Sequence, residues 1–201
     1  MKRIALYILL PIALLCSAAV ADANLITNGG FETGDFTGWT EGGHVSNMFV
    51  TGPFVFAPHS GSFQSVLGPV GSDGTLSQTL ATTAGGLYTV SYWLANTGGT
   101  PNDFSMSFGG VTIPGSVIID GGAFGYTQFT FSGLLATTGS TVLEFSFRQD
   151  PGDWGLDDIS VDAARGVPDT GSSMLLLGLG LVGLCLAQRT LRSQRILLIR
   201  H

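Results

Sequence analysis

Thr141-Val142-Leu143-Glu144-Phe145-Ser146-Phe147-Arg148 places Leu143, Phe145 and Phe147 on one side of an extended chain and Glu144, Ser146 and Arg148 on the other. A period of two describes a strand with one face in a core and the other in water. The stretch 87–95 repeats the pattern, with Tyr88, Val90, Tyr92 and Leu94 opposite Thr89, Ser91 and Trp93. Further short apolar runs at 44–50, 62–67, 75–80, 104–108, 116–119, 126–132 and 156–162 are separated by Gly, Ser, Thr and Asn clusters, and no segment before Ser172 has helical periodicity. Nine strands at nearly regular spacing predict an all-β, antiparallel two-sheet sandwich. Leu80-Ala81-Thr82-Thr83-Ala84-Gly85 is echoed by Leu135-Ala136-Thr137-Thr138-Gly139-Ser140. The echo occurs once, which describes two similar turns rather than a repeat architecture.

The ends have a different composition. Lys2 and Arg3 precede an apolar run, and small residues follow as far as Ala23, the layout of a secretory signal peptide over residues 1–23. Cleavage after Ala23 rather than Ala21 leaves Asn24-Leu25-Ile26 to begin the folded domain; Leu15, where a small residue is wanted, argues against lipidation at Cys16. At the other end an apolar Leu/Gly block at 172–188 is followed by a basic tail at 189–201, an order that fits a membrane stop with its arginines on the cytoplasmic side. Residues 24–165 remain as one domain large enough for a real core.

That domain is strongly acidic. Between Asn24 and Gly166 the basic residues are Arg148 and Arg165, against twelve Asp and Glu. Nucleic acid is thereby excluded as a partner, because phosphate neutralisation requires Lys and Arg, and divalent cations or neutral polymers fit better. Both cysteines, Cys16 and Cys185, fall outside the domain, so its stability rests on its core or on a bound metal.

Alternation on 156–162 puts Asp157 on the side of Ile159 and Val161, the expected core face, and Asp158 with Ser160 and Asp162. A buried carboxylate needs a partner. With almost no basic side chains available, that partner is either a hard cation bound through oxygen, such as Ca2+, or a set of backbone N–H groups at a strand end. The second acidic group, Asp150, Asp153, Asp157 and Asp158, lacks EF-hand spacing and reads as a solvated turn. For sugars, Trp39, Trp93 and Trp154 are the stacking candidates, with Tyr92 and Tyr126 behind them. Trp93 is the best of these, beside Asn96 and Gly98-Gly99, although each ring has a packing role as its alternative. Catalysis has little support: His44 and His59 are the domain's neutral-pH bases, and nothing selects a carboxylate pair.

The opening Asn28-Gly29-Gly30-Phe31-Glu32, with Gly38-Trp39, and the closing Trp154-Gly155-Leu156-Asp157-Asp158-Ile159-Ser160-Val161 resemble the ends of galactose-binding-like jelly rolls, including calcium-containing carbohydrate-binding modules. The resemblance implies a jelly-roll sandwich with Ca2+ held by Glu32, the Gly30 carbonyl and Asp157, completed by carbonyls of 59–62, and a sugar site drawing on Trp93, Asn96 and Trp154. Val167-Pro168-Asp169-Thr170-Gly171, the apolar block and Arg189 and Arg192 resemble the PEP-CTERM class of bacterial sorting signals. That resemblance implies export by the Sec machinery in a Gram-negative bacterium, transit through the inner membrane on the C-terminal helix, and recognition by an exosortase, with delivery to the cell surface or extracellular matrix. The apolar block is slightly short for a bilayer, and the chain runs on past the basic cluster to His201. The expectation is therefore an exported, non-enzymatic sandwich that binds polysaccharide. The alternatives are a structural matrix protein without a sugar site, a permanently membrane-anchored protein and, remotely, a glycan-active enzyme.

Overall fold

A computed structural model describes residues 24–164, 178–181 and 183. The last five are helical, and among the described residues no helix is long and apolar enough to cross a membrane. The expected signal peptide, the box Val167, Pro168, Asp169, Thr170 and Gly171, most of the expected membrane helix, and Arg189 and Arg192 lie outside the described residues.

Eleven strands build two antiparallel sheets. They are β1 (Thr40–Gly43), β2 (Met48–Thr51), β3 (Gln64–Leu67), β4 (Gly74–Ala81), β5 (Leu87–Asn96), β6 (Asn102–Phe108), β7 (Val111–Thr112), β8 (Ile118–Ile119), β9 (Phe124–Leu135), β10 (Ser140–Gln149) and β11 (Trp154–Ala163). One sheet has the order β1-β4-β10-β6-β7, with β8 also on β6; the other has the order β2-β3-β11-β5-β9. All nine expected strands have counterparts. The segment 44–50 is cut back to Met48, because Asn47 turns the chain with φ 58°. Strands β1 and β7 were not expected. Thr-Glu-Gly-Gly in β1 has no apolar residue, and the strand exists through its edge pairing with β4.

The inner faces supply the core. Leu76 and Leu80 of β4, Phe104, Met106 and Phe108 of β6, and Leu143, Phe145 and Phe147 of β10 meet Tyr88, Val90, Tyr92 and Leu94 of β5 and Trp154, Leu156, Ile159 and Val161 of β11. Tyr92 contacts Phe145 edge-on at 5.1 Å, and Phe104 packs on Trp154 at 5.5 Å, crossings that each add about 0.5–1.5 kcal/mol beyond area burial. The echoed turns lie side by side: Thr82 N–H donates to Gly139 O at 3.1 Å and Gly85 N–H to Ala136 O at 2.8 Å.

The ends of the domain are joined. Leu25 N–H donates to Val161 O at 2.9 Å, Val161 N–H to Asn24 Oδ1 at 2.9 Å, and Ile159 N–H to Gly29 O at 3.0 Å. Among the described residues, every member of the buried core falls between Ile26 and Val161.

Candidate functional site

The opening motif folds as a tight loop. Asn28 and Phe31 both take positive φ, 54° and 56°. Asn28 Nδ2 donates to Thr33 Oγ1, Asp35 O and Thr37 O, while Asn28 O accepts from Trp39 Nε1 at 3.1 Å. Phe31 is buried between Phe36 and Trp39, so Trp39 is a packing residue. This loop projects Gly30 and Glu32 toward β11. The Glu32 carboxylate accepts from Ser62 N–H at 2.9 and 3.0 Å and from Phe63 N–H at 3.0 Å. Gly61, at φ 62°, is required there, because a Cβ would sit 2.2 Å from Glu32 Oε1.

On β11 the register corrects one expectation. Leu156 pairs with Leu94 and Asp157 with Trp93, the register then shifts, and Ser160 pairs with Ser91. Directly opposed residues of an antiparallel pair share a face. Asp157 therefore lies on the Trp93 side, the outer face of the β2-β3-β11-β5-β9 sheet, and not on the core face with Ile159 and Val161. The bulge at Asp158, whose φ is 46°, changes the parity between Leu156 and Ile159.

The expected burial of Asp157 nonetheless holds, since the 52–63 loop covers it: its exposure is 0%. Its Oδ2 accepts from His59 N–H at 2.8 Å and Ser60 N–H at 3.5 Å, and its Oδ1 from Asp158 N–H at 2.8 Å. Burial pushes the carboxyl up to about 6, with the Asp158 charge adding and the backbone N–H groups opposing. Asp158 Oδ2 meets His59 Nδ1 at 2.6 Å, and Ser60 Oγ donates to Asp158 Oδ1 at 2.7 Å. A Cβ on Gly30 would lie 3.2 Å from Asp158 Oδ1, 3.7 Å from Asp157 Oδ1 and 3.8 Å from Glu32 Cγ. Gly30, Glu32, Asp157 and the 59–62 turn are thus brought together, joined by the Asp158 carboxylate and the His59 ring, side chains that sequence reasoning left out of the site.

Chemically the group offers hard oxygen donors with no Lys or Arg beside them among the described residues, which suits a calcium ion in kind. Both oxygens of Glu32 and of Asp157 already accept backbone N–H groups, and among the described residues no three Asp, Glu, His or Cys side chains stand at metal-ligating spacing. A carboxylate oxygen has two lone pairs, so this N–H cradle leaves acceptor capacity unused.

The sugar candidates fare differently. Trp154 is 0% exposed, donates from Nε1 to Arg148 O at 3.0 Å and belongs to the core, so it presents no ring face to a ligand. Asn96 is buried as well: its Nδ2 donates to Gly121 O and Gly122 O, and its Oδ1 accepts from Gly98 N–H and Gln149 Nε2. Both assignments are corrected, because internal packing and hydrogen bonding already use these side chains. Trp93 is on the outer face as expected, but the His59 ring stacks on it at 3.7 Å and 16°. Tyr126 borders this stack and Phe56 packs on Tyr126, while Phe49 and Phe54 form a second aromatic pair on the β2 side of the sheet. Tyr126 contacts His59 edge-on at 5.7 Å and Phe56 at 5.9 Å, and its hydroxyl donates to Gln64 Oε1. Burial pushes that hydroxyl's pKa up, and the Asp157 and Asp158 charges add to the shift. Phe49 pairs in register with Val66, which opens the outward row Val66, Gly155, Ala95. Phe54 rests edge-on against Phe49 at 5.9 Å, and the two rings are 72% and 37% exposed. Sequence reasoning missed both phenylalanines; one is in a loop, and loop phenylalanines carry no periodicity. The reading of the second acidic group as a solvated turn is corrected: Asp157 and Asp158 lie on β11, Asp157 fully buried, and Asp150 in the turn is held by Arg148 (Nε–Oδ2 2.7 Å).

Comparison with known proteins places this fold. No family model matches the chain, and no curated protein does. Among solved structures it is similar to TmCBM61, determined in complex with β-1,4-galactotriose (23% identity, TM-score 0.57, covering 71% of this chain and 99% of that one). It is also similar to the xylan-binding domain from CBM 22 (16% identity, TM-score 0.51, 73% and 99%) and to the enzymatically active domain of bacteriophage CBA120 tailspike protein 4 (18%, TM-score 0.53, 70% and 21%). The described domain therefore shares the two-sheet antiparallel sandwich fold of these structures.

Proposed function

We propose that this protein is a non-enzymatic polysaccharide-binding module, exported to the cell surface or matrix, whose sugar site is the outer face of the β2-β3-β11-β5-β9 sheet. The observation that carries the reading is the exposed Phe49–Phe54 pair on the same outer face as the Trp93–His59 stack, a face that continues as the polar strip Ser91, Gln128, Thr130 and Ser160. Exposed rings offer pyranose stacking, and neighbouring hydroxyl and amide groups offer hydrogen bonds. Phe54 and Phe49 are the first platforms; Trp93 joins them only when His59 swings aside. The solved modules of the same fold make β-1,4-galactan and xylan the probes to use. Titration calorimetry of residues 24–164 is expected to show binding to one of them, with Phe54→Ala weakening it roughly fivefold to tenfold and leaving the melting temperature unchanged. Binding to neither polymer, or a silent Phe54→Ala, would favour the structural matrix reading.

In the same proposal Glu32, the Gly30 carbonyl and Asp157 hold a structural Ca2+, and its removal is part of the first prediction in the Discussion. Delivery rests on the segment resemblance: the Val167-Pro168-Asp169-Thr170-Gly171 box with Arg189 and Arg192 is read by an exosortase after Sec export, and the C-terminal helix is a temporary address in the inner membrane. Mass spectrometry of the exported protein is expected to show material lacking residues 174–201. Mature protein that retains them is a membrane-anchored protein instead.

A further inference from the structure

The cover on Trp93 is one side chain thick. The His59 imidazole lies on the indole at 3.7 Å and 16°, and its Nδ1–H donates to Asp158 Oδ2 at 2.6 Å. Water reaches both ends of that bond, since the two side chains are 29% and 28% exposed. The backbone beneath the ring is pinned separately. His59 N–H donates to Asp157 Oδ2 at 2.8 Å, Ser60 Oγ to Asp158 Oδ1 at 2.7 Å, and Ser62 N–H and Phe63 N–H to Glu32. Turning the imidazole away about its own side-chain bonds therefore breaks one stack and one hydrogen bond, and leaves every one of these pins in place. The other tryptophans differ: Trp39 and Trp154 are packed into the core, at 8% and 0% exposure.

We infer that His59 is a gate on Trp93 and Asp158 its latch: closed, the imidazole occupies the indole face; open, it yields that face to a sugar ring. The inference rests on the sugar-binding reading of this sheet face and adds its regulation. Exchange is favoured by likeness, because one flat group stacked on the indole is replaced by another in the same place. Closure has a use of its own, since a bare indole on the outer face would extend the apolar surface already offered by Phe49 and Phe54. It also weakens binding, because a sugar finds Trp93 only in the open fraction of molecules. His59 thus opposes the ligand whose shelf it covers, which is the reverse of what a contact residue does.

Two measurements on the purified protein test the gate. Acrylamide quenching of tryptophan emission needs no sugar and reports on Trp93, the other two indoles being buried. His59→Ala is expected to raise the quenching constant and shift the emission to the red. Titration calorimetry with β-1,4-galactan and xylan is expected to show His59→Ala binding about threefold to tenfold tighter than the wild type, a gain abolished when Trp93→Ala is added. Asp158→Asn loosens the latch with a residue that still tolerates φ 46°, and is expected to move both readings the same way by a smaller factor. Quenching unchanged in His59→Ala overturns the gate, because the imidazole then covers nothing. Sugar affinity that is unchanged or weaker in His59→Ala also overturns it, and leaves the sugar-binding reading standing with His59 as a bystander or a contact. Binding to neither polymer by any of these proteins is failure of the sugar-binding reading itself, and the gate falls with it.

Discussion

Asp157→Ala is expected to lower the unfolding free energy of residues 24–164 by about 3–5 kcal/mol in urea denaturation, because it orphans three backbone N–H groups under the 52–63 loop, each costing about 1–3 kcal/mol when buried without an acceptor. Asp157→Asn keeps one acceptor oxygen and is expected to lose about half as much. The pH dependence has a definite sign. With chelator present, the folded carboxyl titrates at about 6, above the unfolded value of about 3.9, so this group's stabilising contribution is full below about pH 4 and is lost as pH rises through about 6. Acidification from pH 7 to 4 is then expected to add about 2 kcal/mol from Asp157, read as wild type minus Asp157→Asn. Bound Ca2+ requires the charged carboxylate, so saturating calcium is expected to raise the melting temperature at pH 7 and to reverse that trend. Identical melting with calcium and with excess chelator rejects the metal and leaves the N–H cradle as the whole account of this carboxylate.

The second large effect is Gly29→Ala. A Cβ there would stand 2.1 Å from Ile159 O, a backbone atom on β11 that cannot rotate away. The opening loop would have to lift off the last strand, breaking the Ile159 N–H to Gly29 O bond and displacing Gly30 and Glu32. A loss of at least ~3 kcal/mol is expected, with Gly122→Ala, whose Cβ would meet nothing within 4 Å, as the near-neutral control. A Gly29→Ala protein with wild-type stability would mean that the two ends of the domain are joined less tightly than their hydrogen bonds imply.

These two residues also show what could be read in advance. Period-two alternation was decisive for β5 and β10 because each has one dry face and one wet face. It was silent for β1, whose strand character comes from its neighbour β4. The pairing of the opening and closing motifs was legible as a resemblance, and Gly30, Glu32 and Asp157 do come together. The face of Asp157 was not, since a bulge changes parity without any apolar signal; its trace is the Asp157-Asp158 pair, Asp being among the few residues that tolerate positive φ. Trp154 could have been assigned to the core, because it shares parity with Leu156 before the bulge. Asn96 could not, since its partners Gly121 and Gln149 are distant in sequence.

The strand order also dictates timing. The central strand of each sheet, β10 between β4 and β6 and β11 between β3 and β5, is one of the last two described strands. A nascent chain that has emerged only as far as Gly139 holds two sheets without their middles, and its opening loop has no β11 to close against. The sandwich must therefore assemble in one late, long-range step, the slow end of the range that topology permits. For a protein proposed to cross a membrane this has a use: a chain carried across while it is being made has nothing stable on the near side to jam the passage until residues 140–163 have been synthesised.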